Sequence, residues 1–368
     1  RRPRAGLVDA GRGPGAGHKG YGHEMEMKKI LRIPVEEPSQ VGEARRLTVP
    51  LCRLMRFSEV DIGRISLIVT EAATNLVKHA AAGELLIRTL ECGGVLGLEI
   101  LATDRGPGMA NPARFLQDGV STTGSPGTGL GAIVRASAKF DLFSSPGQGT
   151  VMMSRYWAGR LPRDLPARPL EIGAICLPIP GEESCGDGWA VEQDRQRSVV
   201  LACDGLGHGL DAAKASLEAE RLFRIHRTRP VAEIVEMVHA GLCSTRGAAI
   251  GVLEVDHVDA VVRFCGIGNI AARIITASGE RHLVSHNGIA GQEARKIQQF
   301  TYPWDDGGLV VVHSDGIATR WSLADYPGLP RRHPSVVAGV LNRDFRRGHD
   351  DSLVLVAKSR GRGAGNRG

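Results

Sequence analysis

Glu71, Asn75 and His79 recur at four-residue steps, which sets a carboxylate, an amide and an imidazole along one stripe of a helix. Downstream stand Asp104-Arg-Gly106-Pro-Gly108, then Gly127-Thr-Gly129-Leu-Gly131, then Gly149-Thr150. A carboxylate beside an amide oxygen holds Mg²⁺ and polarises a nucleophile. An Asp at a strand end accepts the proton of an adenine amino group. Glycines let the backbone approach a base and turn N–H donors toward phosphates. Each piece alone reads as readily as a solvated helix face, a tight turn or a flexible loop; the three in this order point to a nucleotide site.

A second set is acidic. Gly186-Asp187-Gly188, Asp204-Gly205-Leu206-Gly207-His208-Gly209, Ser314-Asp315-Gly316 and His349-Asp350-Asp351 come at intervals, three of them at the edge of an apolar strand. An Asp at a strand end beside Gly projects its oxygens into a cleft while the backbone turns away. One such pair is ordinarily just a turn. Four carboxylates converging on one cleft raise each other's pKa and call for cations. Hard divalent ions, Mg²⁺ or Mn²⁺, suit them, and two such ions activate a water for in-line attack on phosphorus. His208 by itself reads as a turn or core histidine.

Elements must hold these groups in place. Ser58 to Ala80 is predicted as a helix: Ser58 and Asp61 form a capping-box signal, and Ile62, Ile65, Val69, Ala72 and Leu76 repeat at helical spacing. The apolar runs GELLIRTL and GVLGLEILATD read as strands after it. Further on, SVVLACD, AAIGVLEV, AVVRFCGIG, GLVVVHSD and DSLVLVA read as strands, with helices over 210–224 and 231–242. The whole is an α+β pattern of layered elements.

The 368 residues suffice for two domains, and 42% hydrophobic content allows each a core. Residues 1–24 are Gly- and Arg-rich and are expected to be a disordered tail, with Met25 or Met27 the natural start. Expected next are a first domain over 25–157, a Pro- and Arg-rich linker over 158–169, a second domain over 170–358 and a disordered tail over 359–368. Cutting near Pro162–Pro169 is expected to leave two separately folding halves. No apolar run is long enough to cross a membrane and no signal-peptide pattern is present, so a cytoplasmic protein with no membrane partner is expected. The seven cysteines are odd in number and never spaced C-x-x-C, which speaks against a disulfide framework or zinc knuckle. A net charge of +6 with 4% aromatics speaks against direct nucleic-acid binding.

Glu71/Asn75/His79, DRGPGM and GTGLG resemble the N, G1 and G2 boxes of the GHKL ATPase superfamily. Within it, EAATNLVKHA and QDGVSTTGSPGTGLGAI are most similar to the bacterial anti-sigma-factor serine/threonine kinases and their switch-kinase relatives. Over about residues 30–156 the resemblance implies a Bergerat α/β sandwich that binds ATP and Mg²⁺. It implies Asn75 as Mg²⁺ ligand, Glu71 as general base toward a protein serine, and Asp104 as adenine partner, with His79 on the same polar stripe. Gly106, Gly108, Gly127, Gly129 and Gly131 would be phosphate-facing, and Thr150 would lie near adenine. Neither GxxxxGK(S/T) nor HRD occurs, so this is not a P-loop or eukaryotic-kinase site.

CDGLGHGLDAA, HSDGI and HDDSLVLVA resemble the 2C-type metal-dependent serine/threonine phosphatases, in the branch of stage II sporulation protein E. This implies a β-sandwich flanked by helices. It implies two Mn²⁺ or Mg²⁺ ions held by Asp187, Asp204, the carbonyl of Gly205, Asp315, and Asp350 or Asp351, with Asp350 preferred. The compact domain is most similar to short phosphatases that reset stress-response switch proteins. Together the resemblances imply a bifunctional regulator of bacterial partner switching. Its partner would be a small antagonist protein phosphorylated on Ser/Thr, or a sigma factor or switch protein, and a homodimer is compatible with the kinase resemblance. Two other readings stay open: a phosphatase whose GHKL domain only senses ATP, and a non-catalytic anti-sigma-like binding protein.

Overall fold

The computed structural model describes residues 30–115, 129–162 and 168–360. Its first sheet has the order β1-β2-β3-β5-β4 and is antiparallel throughout, from β1 (Leu31–Pro34), β2 (Glu84–Cys92), β3 (Val95–Asp104), β4 (Lys139–Ser144) and β5 (Thr150–Trp157). Helices α1 (Pro38–Leu54) and α2 (Glu59–His79) cover one face, followed along the chain by the short α3 (Pro112–Phe115) and by α4 (Gly129–Ala136). The capping box expected at Ser58 and Asp61 forms, and the apolar stripe Ile62, Ile65, Val69, Ala72 and Leu76 is buried. Period-two alternation does the rest. Leu85 and Ile87 of β2, and Leu98, Ile100 and Ala102 of β3, face α1 and α2, whereas Leu86 and Leu101 point to the other side.

A sandwich follows. One sheet runs β13-β10-β9-β8-β7, from β7 (Asp187–Gln193), β8 (Arg197–Gly205), β9 (Ala248–Asp256), β10 (Val261–Ile267) and β13 (Phe300–Pro303). The other runs β12-β11-β14-β15-β6, from β6 (Leu170–Leu177), β11 (Ala271–Thr276), β12 (Gly279–His282), β14 (Leu309–His313) and β15 (Ser352–Ser359). Val200, Leu253, Phe264, Val310, Val312, Leu353 and Leu355 fill the space between the sheets. Helices α5 (Leu210–His226) and α6 (Val231–Gly241) cover the outer face of the β7–β10 sheet. Among the described residues no helix is long and apolar enough to cross a membrane.

The outer face of the other sheet is covered by α7 (Pro334–Phe345), which also covers the free face of the first sheet. Every residue of α7 from Pro334 to Arg343 is buried. Val336, Val337, Val340 and Leu341 share one cluster with Ile175, Leu177, Val354 and Val356 on one side and Leu86, Leu101, Val151 and Met153 on the other. Burying each such side chain contributes about 1.5–3 kcal/mol. Polar groups on the same face are matched across the seam. Glu99 receives Arg88 at 2.7 Å, Arg155 at 2.6 Å and the Ser335 hydroxyl of α7 at 2.7 Å. Burial alone would raise the Glu99 pKa, but Arg155 and Arg88 outweigh it and hold the carboxyl well below the usual range. Asp141 accepts the His333 backbone N–H at 2.5 Å, and Arg155 also donates to the Ile172 carbonyl at 3.2 Å. The expectation of separately folding halves therefore meets a shared core: cutting between 162 and 169 would leave one face of α7 in water.

Two glycines set how closely α7 nests. A Cβ on Gly173 of β6 would lie 2.1 Å from the Ser335 amide nitrogen, a backbone atom that moves only with the helix. A Cβ on Gly339 of α7 would lie 2.7 Å from Val151 Cγ1, a side-chain atom with some freedom. Gly173→Ala is expected to destabilise the protein by about 2 kcal/mol or more in urea titrations. Gly339→Ala is expected to lose less, because the gain in helix propensity, about 1 kcal/mol, offsets part of the strain. Equal losses would mean that α7 shifts freely on β6. The full chain should also unfold in one calorimetric transition, since neither half can open without uncovering the α7 cluster.

Candidate functional site

On α2, Glu71 and Asn75 are half-buried and His79 is exposed, in a row that flanks the apolar stripe. The first residue of α4 sits over them: a Cβ on Gly129 would lie 3.2 Å from Glu71 Oε2 and 3.4 Å from Asn75 Oδ1. Among the described residues the buried amide nitrogen Asn75 Nδ2 has no hydrogen-bond partner. A buried polar atom left unpaired ordinarily marks a ligand contact or stored strain. Gly131 is buried within α4, and Gly127 lies outside the described residues.

Asp104 ends β3 and is cross-strand from Thr150 at the start of β5. Burial raises its pKa, opposed by the Gly106 and Thr150 N–H groups and the Arg343 charge. Its Oδ1 accepts the Gly106 N–H at 2.7 Å. Ser144 Oγ lies 2.9 Å from Thr150 Oγ1 and accepts the Met109 N–H at 2.8 Å. Gly108 has φ +68°, and a Cβ there would lie 1.9 Å from the Ser145 carbonyl oxygen, so no other residue fits. A Cβ on Gly106 would meet the His79 carbonyl oxygen at 2.6 Å. These two glycines close the turn that holds Asp104, and the missing side chain of Gly129 is what leaves room above Glu71 and Asn75.

The acidic residues gather at one edge of the sandwich. Asp187 opens β7 and stands directly across from Asp204 at the end of β8. Asp187 Oδ2 accepts the Ser314 hydroxyl at 2.6 Å, and Ser314 Oγ in turn accepts the Leu353 N–H at 2.9 Å. Asp187 Oδ1 is buried and has no partner. Gly205 must be small, since a Cβ would lie 2.2 Å from the Ala212 carbonyl oxygen of α5. Asp315, just beyond β14, accepts Asn269 Nδ2 at 2.7 Å. The two final aspartates differ. Asp351 spends both oxygens on backbone donors, Ile179 N and Gly186 N, each at 2.7 Å. Among the described residues Asp350 accepts one hydrogen bond, from the Asp351 N–H at 2.9 Å, and so has carboxylate capacity to offer. His208 pairs with Glu182 at 2.9 Å in an exposed contact.

Electrostatically the cluster repels itself. Burial pushes Asp187 well above the carboxylate range, and the charge of Asp204 adds to this. Burial, then the charges of Asp315, Asp350 and Asp351, push Asp204 up to about 7. Asp315 is raised by burial and Asp350, against the opposing charges of Arg347 and His349. Among the described residues no group of three or more His, Cys, Asp or Glu side chains is gathered tightly enough to hold a metal as it stands. The acidic groups meet through their charges. An all-oxygen donor set with an unpaired buried carboxylate oxygen nevertheless fits hard divalent cations.

Ser314, Asn269 and the loop-holding Asp351 are contributions that sequence reasoning did not assign. Ser314 stood inside a quoted motif, whereas Asn269 carried no signal. Ser216 also donates to the Gly186 carbonyl and Glu220 accepts the Trp189 N–H at 3.0 Å, so α5 fixes the start of β7.

Residues 35–155 match the family model of the histidine kinase-like ATPase domain, and residues 194–359 match that of stage II sporulation protein E. The serine/threonine-protein kinase RsbT of Bacillus subtilis (strain 168) is 34% identical over 133 residues, which span 36% of this chain and 98% of RsbT. The phosphoserine phosphatase RsbX of the same organism is 24% identical over 138 residues, spanning 37% of this chain and 69% of RsbX. Among solved structures, a chain from a study of the bacterial stressosome is similar at 27% identity and a TM-score of 0.48, covering 52% of this chain and all (100%) of that one.

The raised Asp204 pKa has a sign that can be tested. Between its ordinary value, about 3.9, and about 7 in the fold, the unfolded chain has lost a proton that the folded chain keeps. Stability present below that window is therefore lost as pH rises through it. In chelator the melting temperature should fall by a few degrees from pH 5 to pH 8. Asp204→Asn should flatten that fall, and Mn²⁺ should reverse it for the unaltered protein only. A melting temperature that rises with pH in chelator, with the same slope in Asp204→Asn, would remove the case for repulsion at this cluster.

Proposed function

We propose that this chain, which belongs to the histidine kinase-like ATPase family over residues 35–155 and to the stage II sporulation protein E family over residues 194–359, is a regulator of bacterial partner switching. Its second domain is a metal-dependent phosphatase of phosphoserine or phosphothreonine, and its first is an ATP-binding serine/threonine kinase module. The observation that carries this reading is Asp187, with one buried oxygen unpaired, directly across from Asp204 in a cluster of mutually repelling carboxylates.

Asp187, Asp204, the Gly205 carbonyl, Asp315 and Asp350 would hold two Mn²⁺ or Mg²⁺ ions. Bound there, the ions supply positive charge for the phosphoryl oxygens and an activated water. The protein's own groups do the positioning. Ser314 fixes one oxygen of Asp187 and Asn269 one oxygen of Asp315. Asp351 ties the 179–186 loop to the start of β15. Such supporting bonds keep ligating carboxylates oriented.

In the first domain Asn75 would bind Mg²⁺ of Mg-ATP, with Glu71 the general base toward a protein hydroxyl. Asp104 would accept from the adenine amino group beside Thr150, with His79 at the end of the polar stripe. The start of α4 at Gly129 sits where backbone N–H groups would face phosphates. The substrate would be a small antagonist protein bearing a serine or threonine, in the cytoplasm.

Mn²⁺-dependent release of phosphate from a phosphoserine peptide is expected for the unaltered protein, with a loss of about 100-fold or more in Asp204→Asn. Asn75→Ala should abolish Mg-ATP binding in calorimetry while phosphatase turnover in the absence of nucleotide persists. Equal turnover in Asp204→Asn would overturn the metal-site reading, and undiminished ATP affinity in Asn75→Ala would overturn the nucleotide-site reading.

A further inference from the structure

The C-terminal end of α7 bonds to the Asp104 carbonyl, and the residues just after it bond to the segment that follows Asp315. Arg343, 8% exposed, donates from Nη1 to the backbone carbonyl of Asp104 at 2.9 Å. The rest of its guanidinium is locked on Asp344, at 2.8 and 2.7 Å, and Asp344 also accepts the Tyr326 hydroxyl at 2.9 Å. Arg105, the residue after Asp104, donates back to the Arg343 carbonyl. Nearby, Gln148 Nε2 of the turn before Thr150 donates to the Asp325 carbonyl at 2.9 Å. The strand end that carries Asp104 is thus clamped to α7 by two reciprocal arginine-to-carbonyl bonds.

The chain then runs from α7 straight into the acidic cluster. Ala318 N–H donates to the Phe345 carbonyl at 2.8 Å, and Arg347 N–H to the Gly316 carbonyl at 2.9 Å. Arg346 donates to the Pro178 carbonyl at 2.6 Å, beside the loop that Asp351 holds. A Cβ on Gly316 would lie 1.8 Å from the Asp351 carbonyl oxygen, so the segments bearing Asp315 and Asp350 lie against each other with no slack. Close-packed interiors transmit displacement instead of absorbing it. A shift of the Asp104 carbonyl would be felt at Asp315 and Asp350 through a few bonded groups.

We propose that Arg343 is a positioning residue through which nucleotide bound in the first domain sets the phosphatase turnover of the second. This rests on reading Asp104 as a nucleotide contact and Asp315 and Asp350 as part of the phosphatase site. Arg343 touches neither substrate nor ion. Its role is to make the strand end at Asp104 and the segment carrying Asp350 move together. The coupling is reciprocal: whatever factor nucleotide imposes on binding at the acidic cluster, occupancy of that cluster imposes on nucleotide affinity.

The test uses the full chain, a phosphoserine peptide and free Mn²⁺ held constant, with and without saturating ADP, which lacks the γ-phosphate to be transferred. ADP should change turnover by about fivefold or more. Asn75→Ala, which loses ADP binding, should lose the effect, placing it in the first domain. Arg343→Met should keep ADP affinity and nucleotide-free turnover and lose the dependence of one on the other. Asp344 stays partnered by Tyr326 in that variant. Should Arg343→Met not fold, amide hydrogen exchange on the unaltered protein decides: ADP should change protection across residues 343–352. Bound ADP with unchanged turnover, or with unchanged exchange across that segment, overturns the coupling and leaves the phosphatase and nucleotide readings standing. Coupling that persists in Arg343→Met overturns the role of Arg343. Absence of any ADP binding sinks the nucleotide reading itself, and the coupling with it.

Discussion

A helix buried on both faces must satisfy two sheets at once, and the rest of this molecule is arranged around that constraint. α7 leaves no side for solvent from Pro334 to Arg343. Its partners on each side must therefore be apolar in register and small where its backbone comes close. Gly173 supplies the closest approach, and the alternation in β2, β3 and β5 supplies Leu86, Leu101, Val151 and Met153 on the same side as Glu99. A buried carboxylate among these residues would be costly unpaired; two arginines and a serine hydroxyl make it tolerable. Such a triad adds little net stability over an apolar replacement, but loss of one member leaves an uncompensated charge.

The acidic cluster follows the opposite logic. Asp187, Asp204, Asp315 and Asp350 are held near one another by strand ends and by Ser314 and Asn269. Among the described residues no arginine is hydrogen-bonded to Asp187 or Asp204 as Arg88 and Arg155 are to Glu99, and Arg347 opposes the rise of Asp315 only through its charge. Hence the buried Glu99 carboxylate has its pKa held down while the buried Asp187 and the half-buried Asp204 have theirs pushed up by desolvation and by neighbouring carboxylates. The difference is the company each keeps, and it separates a structural carboxylate from carboxylates suited to a cation.

Much of this was legible in the sequence. The helix at Ser58, its apolar stripe and the row of Glu71, Asn75 and His79 follow from spacing alone, because the buried positions of that helix recur with the helical period. The strands that bear Asp104, Asp204 and Asp315 announce themselves by apolar runs ending in Asp-Gly or Asp-Arg-Gly. α7 was not recognised because its Val and Leu positions are mixed with Ser335, Asn342, Arg343 and Asp344, and its burial from Pro334 to Arg343 comes from two sheets that no local spacing announces. With it went the shared core and Arg343, whose partner is a backbone carbonyl and so leaves no trace in residue type. The different bonding of Asp350 and Asp351 was likewise hidden, since it depends on where the Ile179 and Gly186 amides lie.

The pairing of β6 with β15 joins Leu170 to Ser359, and α7 lies just before that last strand. On the ribosome, the first sheet is complete once Trp157 has emerged, but the helix that covers its second face, Pro334–Phe345, follows only after most of the sandwich has been made. At about 5–20 residues per second, the apolar side chains Leu86, Leu101, Val151 and Met153 stay uncovered for on the order of ten seconds or longer. For that interval the nascent chain carries a finished sheet with a bare greasy face, a natural client for chaperones, and a message truncated anywhere before α7 yields a product that never loses that face.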